Sequence, residues 1–479
     1  MKITKKNIRL YASSRAVITQ FLHLPGNDRV KKVVEKIESM DDETALTCLE
    51  NVRKDFAGRH RSIDNIFLEN LEKIRLQLPQ KDFNLLTAEK RLLAGAYFTK
   101  EYSIQAAALF NPSIVPHPDQ SGLHPGQQRF VLSMRATGEG HISSVVFKTG
   151  VVTKSNDIIF DNPAEVYSPL SKNKSTAFER AFFEKRCSFF HGFKKELLNL
   201  LPEKFTEGEA LKLIEASALF TDGSYANSIQ IFKAICDSNY ELTSSASMPL
   251  DEKVIFPISK AESMGIEDVR WVRFTGANTP VYYGTYTAYN GHEIKSQLII
   301  TEDFVSFKIR TLYGKAISDK GMALFPEKIN GLYAMISRQG GEKIQIMFSD
   351  DLFVWNDFQT LMEPEFPWEL VQLGNCGSPI KTEKGWLLLT HGVGAMRTYV
   401  ISAILLDLEN PSLIIGRLDR PLISAEENDR EGYVPNVVYT CGFLQNDTSL
   451  LIPYALSDSA TAFATVQINE LLSELIKND

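Results

Sequence analysis

Apolar positions along this chain follow two different periods. Over the first hundred residues they recur at helical spacing. Val30, Val33, Val34 and Ile37 share one face, and after Asp41-Asp42, an N-cap signal, Leu46, Leu49, Val52 and Phe56 continue the pattern. Phe67, Leu71 and Ile74 form a further amphipathic segment, and residues 88–96 another. Residues 1–108 are therefore expected to be a helical N-terminal extension, with Arg59-His60-Arg61 at a solvated helix end or loop rather than in an anion site.

From residue 109 the pattern changes to short β-branched and aromatic runs such as Val281–Tyr289. Charged or Pro-containing turns lead into such runs at Asn111-Pro112, Glu267-Asp268, Pro326-Glu327, Pro379-Ile380 and Pro435-Asn436. From Asp268 the steps are 58, 53 and 56 residues (268, 326, 379, 435). A second marker recurs 48 residues apart, at Thr301-Glu302-Asp303-Phe304 and Ser349-Asp350-Asp351-Leu352. A period of roughly 50 with several short strands per unit is the signature of propeller blades. The expected fold is mainly β, a five-bladed β-propeller over residues 109–479. Phe178, Phe182 and Phe189, then residues 211–220 and 229–236, return to helical spacing, so a helical insertion at about residues 170–240 is expected between blades one and two.

The first strand of each propeller blade lines the central channel, so residues beside it converge on one funnel. Asn111, Asp268, Glu327 and Asn436 are given that common destination, together with Arg135, Thr287, Arg338, His391 and Asp458 at inner-strand ends. Carboxylates, arginines, a histidine and aromatics suit a carbohydrate better than an apolar ligand. The loop Gly138-Glu139-Gly140-His141 adds an acid and an imidazole where glycine permits close backbone approach. It lacks the ending of a phosphate loop, and His141 has no second His or Cys at ligand spacing, so no metal is expected.

Composition narrows the partners. With 52 basic and 59 acidic residues the net charge is -7, which argues against nucleic acid or an anionic membrane. Five cysteines, Cys48, Cys187, Cys236, Cys376 and Cys441, are scattered without a CxxC pair and read as reduced thiols. No stretch approaches the ~20 apolar residues that span a membrane, and no apolar segment follows the basic start Met1 to Lys6. A cytoplasmic location is expected.

Several segments in collinear order carry a family resemblance. They are Glu267-Asp268-Val269-Arg270, Leu324-Phe325-Pro326-Glu327-Lys328-Ile329-Asn330-Gly331, Ser378-Pro379-Ile380-Lys381-Thr382, Thr390-His391-Gly392, Asp407 to Pro411 and Val434-Pro435-Asn436-Val437-Val438. Over about residues 110–460 the chain resembles glycoside hydrolase family 130, the inverting enzymes that cleave β-mannosides with phosphate or with water. The helical N-terminus and the insertion lie outside the common core and suggest a longer branch.

The resemblance implies that Asp268 is the general acid, acting through a hydroxyl of the bound mannose. Burial and Glu267 are expected to raise its pKa. Arg270 would orient the sugar, and Asn111, Arg135, Lys320, Arg338, His391, Asn436 and Asp458 would bind substrate. Hydrolysis needs a second carboxylate as base, for which Glu139 and Glu327 are the candidates. Phosphorolysis needs inorganic phosphate as co-substrate, held by a cationic cluster for which Lys320, His391 and Arg397 are available. Glu-Asp-Val-Arg stands for the family's Glu-Asp-Pro-Arg, Cys376-Gly377-Ser378-Pro379 for Gly-Pro-Pro-Pro, and Arg397-Thr398-Tyr399 for Tyr-Arg; Asn290 to Lys295 lacks an arginine often found there. These departures fall where phosphate would bind and favour hydrolysis slightly. A β-mannoside oligosaccharide is the expected partner, no cofactor is expected, and the helical parts are candidates for a homo-oligomer contact. A noncatalytic glycan-binding propeller is the reading from another class; in it Asp268 would be replaceable by Asn.

Overall fold

The computed structural model describes residues 1–276 and 279–476. The chain is mainly β, and its strands form antiparallel meanders in sequence order. The first meander runs through Ala108–Pro116, Gln128–Thr137, Ser143–Val152 and Ile158–Phe160. The second comprises Gly265–Phe274, Val281–Tyr289, Ile294–Thr301 and Ser306–Thr311. The third runs from Lys320–Leu324 through Tyr333–Arg338 and Ile344–Ser349 to Gln359–Met362. The fourth comprises Gln372–Asn375, Trp386–Val393, Tyr399–Leu406 and Ile414–Arg417. The fifth has Val438–Tyr439, Ser449–Leu456 and Ala460–Gln467.

Apolar clusters join the meanders in succession. Val131 and Val145 of the first pack with Trp271 and Tyr286 of the second, and Val272 and Leu298 of the second with Met322 and Met335 of the third. Ile336 and Ile346 meet Leu388 and Ile404, and Leu389 and Ala403 meet Ile452 and Ala464. Leu132 and Phe130 of the first meander pack with Leu451 and Phe463 of the fifth. The acidic markers are turns: Asp303 Oδ1 accepts from the Val305 N–H at 2.8 Å, and Asp351 Oδ1 from the Phe353 N–H at 2.7 Å.

The first hundred residues are not wholly helical, contrary to the helical-period reading. Ile3–Tyr11 is a strand that pairs antiparallel with Ala460–Gln467, so the N-terminus supplies the outer strand of the fifth meander. Its apolar residues alternate with Lys and Arg, the composition of a protected edge strand. A separate hairpin joins Val17–Phe21 to Thr99–Ser103. Between them lie the helices Asn27–Ser39, Asp42–Asp55, Ile63–Gln77 and Ala88–Tyr97, around Val34, Leu49, Phe67, Ile74 and Leu93. The Asp41 carboxylate caps the second helix through the Thr44 N–H at 2.8 Å. Arg59 and His60 both bond Glu101, and Arg61 bonds Glu252, so this basic triplet ties the helical part to its neighbours.

The insertion folds around Phe183, Phe205 and Phe232, with helices Arg180–Cys187, Glu207–Glu215 and Ala226–Ser238. Phe178 lies in the short strand Ala177–Glu179 rather than on a helix. Strand Tyr240–Thr243 then pairs with Ser306–Thr311 at the outer side of the second meander. Among the described residues no helix is long and apolar enough to cross a membrane.

Candidate active site

The leading strands of the first three meanders are irregular at equivalent places. Pairing shifts register between Phe110 and Ser113, between Glu267 and Arg270, and between Lys320 and Ala323. An extra residue in one strand bends it and re-aims a side chain. Asn111 and Asp268 occupy two of these bulges with φ of 47° and 54°, a left-handed conformation that short polar residues tolerate best. At the third bulge the left-handed residue is Gly321, and Lys320 beside it provides the side chain. The strands paired with them carry Arg135 opposite Phe110 and Arg338 opposite Lys320.

These residues meet in a cavity of about 200 Å³, lined by Asn111, Arg135, Glu267, Asp268, Lys320, Arg338, His391, Arg397, Tyr399, Val437, Tyr439 and Asp458. Arg135 Nη2 donates to Glu267 Oε1 at 2.9 Å and Nη1 approaches Asp268 Oδ1 at 3.4 Å, while its Nε donates to Ser143 Oγ at 2.9 Å. Lys320 Nζ holds Glu267 Oε2 at 2.6 Å. Asn111 Nδ2 donates to Asp268 Oδ1 at 2.7 Å. Arg270 is buried behind the wall, its Nη1 on the Asp268 carbonyl at 3.1 Å and its Nη2 on the Tyr439 hydroxyl. Arg338, His391, Arg397 and Tyr399 complete the polar lining. His391 stacks on Tyr399 with ring centres 5.7 Å apart.

The electrostatics differ from expectation at two positions. Burial pushes the Asp268 carboxyl up, as its enclosed position suggests. Arg135 and Arg270, the Asn111 hydrogen bond and Lys320 outweigh that and hold it below the usual carboxylate range. Its neighbour Glu267 is already neutralised by Arg135 and Lys320, which is why it fails to act as a repelling charge. His391 is the second case. Burial, with Arg338 and Arg270 close by, keeps its pKa well below the ordinary imidazole value, so it adds no positive charge to the cluster. Arg338 Nη1 lies 3.2 Å from His391 Nε2. A guanidinium can only donate, so Nε2 accepts and the ring proton sits on Nδ1. His391 thus positions Arg338. Asp458, in the left-handed turn after Ser449–Leu456, is pushed up to about 7 by burial and by Asp268, against the opposing pull of Arg135 and Arg397.

Five expected residues, Arg270, Thr287, Glu139, Glu327 and Asn436, lie outside the cavity lining. Arg270 is spent on the Asp268 carbonyl and the Tyr439 hydroxyl rather than facing a sugar, and Thr287 is buried in the sheet between Glu267 and Ser296. Glu139 accepts the Ser103 N–H at 2.9 Å and its carbonyl accepts the Tyr102 hydroxyl at 2.7 Å, so it fastens its loop to the N-terminal hairpin. Glu327 pairs with Lys381 at 2.6 Å. It follows the far end of strand Lys320–Leu324, seven residues after Lys320. The sequence period matched the Pro-Glu turn to Asp268, but the corresponding bulge comes earlier. Asn436 sits one residue before the lining Val437, and its carbonyl accepts the Tyr399 N–H at 3.0 Å. The site also contains Tyr399 and Tyr439, which were not singled out; each is a tyrosine in or at a strand next to a motif residue, Arg397 or Val437. Among the described residues, no group of three His, Cys, Asp or Glu side chains could hold a metal ion.

Comparison with known proteins settles the family. The family model described as beta-1,4-mannooligosaccharide phosphorylase, of glycoside hydrolase family 130, matches residues 234–477. The chain belongs to glycoside hydrolase family 130. It is an enzyme of that family, 33% identical over 231 residues to a 1,2-beta-oligomannan phosphorylase of Thermoanaerobacter sp. (strain X514), covering 47% of this chain and 75% of that protein. A Beta-1,2-mannobiose phosphorylase of Listeria innocua is 30% identical over 236 residues, covering 47% of this chain and 64% of its own length. The solved complex of a Listeria innocua Beta-1,2-Mannobiose phosphorylase with beta-1,2-mannobiose aligns with a TM-score of 0.47 at 20% identity, over 77% of this chain and 92% of that chain. Of the segments that carry the resemblance, those at Asp268 and His391 contribute to the cavity lining, and those at Pro326 and Pro379 do not.

Proposed function

We propose that this family 130 enzyme cleaves β-mannosides, β-1,2-linked manno-oligosaccharides in particular, by inverting phosphorolysis, within a five-bladed β-propeller. The propeller reading is supported by five successive meanders and by apolar clusters that join each to the next and the fifth to the first. The substrate reading rests on relatives named for β-1,2-linked mannosides.

The observation that carries the choice of phosphate over water is the pair of arginines in the cavity lining. Arg338 and Arg397 line it together with Asp268, Glu267 and Asp458, while neither Glu139 nor Glu327, the carboxylates offered as a hydrolytic base, does so. Arginines bind phosphate through planar, charge-assisted hydrogen bonds. A bound phosphate would also raise the pKa of Asp268, since a like charge nearby disfavours the carboxylate. The co-substrate would thus favour the protonated form of the acid. In the reaction a phosphate oxygen attacks the anomeric carbon from the face opposite the leaving group. The glycosidic bond breaks, and the Asp268 proton reaches the departing oxygen through a sugar hydroxyl, as the family resemblance implies. The products are mannose 1-phosphate and the shortened saccharide. This reading replaces the slight preference for water drawn from the motif departures.

Incubation of the protein with β-1,2-mannobiose with and without inorganic phosphate tests the reading. Formation of mannose 1-phosphate only when phosphate is present supports it. Release of free mannose at the same rate in both cases indicates hydrolysis.

A further inference from the structure

The helical insertion builds a second cavity against the outer strands of the second meander. It has a volume of about 400 Å³. Phe189 and Phe190 enter it from the insertion, Tyr313 from the main sheet region, and Ser296, Thr311 and Asp319 supply polar groups. Phe189 stacks on Tyr313 with ring centres 5.6 Å apart and planes inclined by 20°, yet remains 39% exposed. Tyr313 is held rigidly beneath it: its N–H donates to the Phe353 carbonyl and its carbonyl accepts the Trp355 N–H, both at 2.8 Å.

Strand register fixes where this cavity stands relative to the candidate active site. Glu267 pairs with Thr287, and Thr287 with Ser296. Two strand spacings put Ser296 about 10 Å from the catalytic-side strand. Ser296 Oγ also reaches the Asp319 carbonyl at 3.4 Å, and the next residue, Lys320, holds Glu267 in the first cavity. The two cavities therefore share one end of one meander and are joined by consecutive residues.

An aromatic face flanked by hydroxyls, a carboxylate and lysines fits the alternating apolar and hydroxylated surface of a sugar ring. We propose that this cavity is a distal subsite that holds a non-reacting mannosyl unit of a longer substrate, with Phe189 as the stacking face. The inference rests on the mannoside-cleaving reading of the first cavity. It assigns to the insertion a role in selecting substrate length.

The test compares the native protein with Phe189→Ala on β-1,2-mannobiose and β-1,2-mannotetraose. Loss of one aromatic contact should lower kcat/KM on the tetraose by about 3- to 10-fold and leave the biose unchanged, with Phe189→Tyr restoring the native ratio. Equal changes on both substrates, or none on either, would overturn the subsite. Titration calorimetry of mannotetraose against Asp268→Asn, with and without Phe189→Ala, reads binding without turnover. Weaker binding in the double variant keeps the subsite even if no mannoside is cleaved by the native protein, a result that would defeat the proposed function alone. Identical binding in the two variants would overturn the subsite.

Discussion

Asn111 donates a 2.7 Å hydrogen bond to Asp268 across 157 residues of sequence, from one strand bulge to another. Both residues pay the small strain of left-handed backbone, and both gain the same thing from it, a side chain turned into the cavity. The bond favours the charged carboxylate, since a donor on its oxygen stabilises the anion. Replacing Asn111 by Ala should raise the Asp268 pKa. A shift toward higher pH of the limb of the kcat/KM profile that reports this group would reveal it, and an unmoved profile would mean that Arg135 and Arg270 alone set the charge.

Arg397 lines the cavity, 5.9 Å from the Tyr399 ring centre. A charge-assisted hydrogen bond contributes ~1.5–3 kcal/mol, so Arg397→Ala should raise the KM for phosphate by about 10- to 100-fold while the affinity for mannobiose stays near native. Equal loss for both substrates would place Arg397 at the sugar instead.

Glu139 and Glu327 are predicted to be dispensable for turnover. Glu327→Gln breaks a half-exposed pair with Lys381, a class of interaction that contributes ~0–1 kcal/mol, and should leave kcat within about 2-fold of native. A fall of 100-fold or more in either Glu→Gln variant would restore that residue as a hydrolytic base.

Much of this arrangement was legible in the residues. The strand-end positions Arg135, Arg338 and His391 and the turn residue Asp458 reach the cavity because meander geometry brings equivalent positions together, and the repeat spacing encodes that geometry. The failures have local causes. A bulge re-aims a side chain without altering the apolar pattern around it, so the sequence period points to the Pro326-Glu327 turn for the third inner strand where the structure has its bulge after Lys320. The strand at Ile3–Tyr11 was hidden because its partner, Ala460–Gln467, lies at the other end of the sequence. Beyond the nearby Arg270, the charge state of Asp268 depends on Arg135, more than 100 residues away in sequence, and that of His391 on Arg338, more than 50 away, which no local pattern reports.

Asp458 makes stability depend on pH. Its carboxyl is raised from 3.8 to about 7, so between those values the folded chain binds more protons than the unfolded chain. Folding stability from this group is therefore lost as pH rises through that window. Asp458→Asn removes the titration. Its melting temperature relative to native should climb between about pH 4 and about pH 7 and level off above, and a constant difference over that range would mean that the carboxyl titrates normally.

The most direct test of the account is Asp268→Asn. The substitution is nearly isosteric and keeps an acceptor for Asn111, so folding and sugar binding should persist. General acid catalysis contributes ~10²–10⁴-fold. With phosphate and β-1,2-mannobiose both saturating, kcat should fall by that factor while calorimetry returns a mannobiose affinity close to native. A variant that turns over at near-native rates would contradict the central claim and put the acid elsewhere in the cavity.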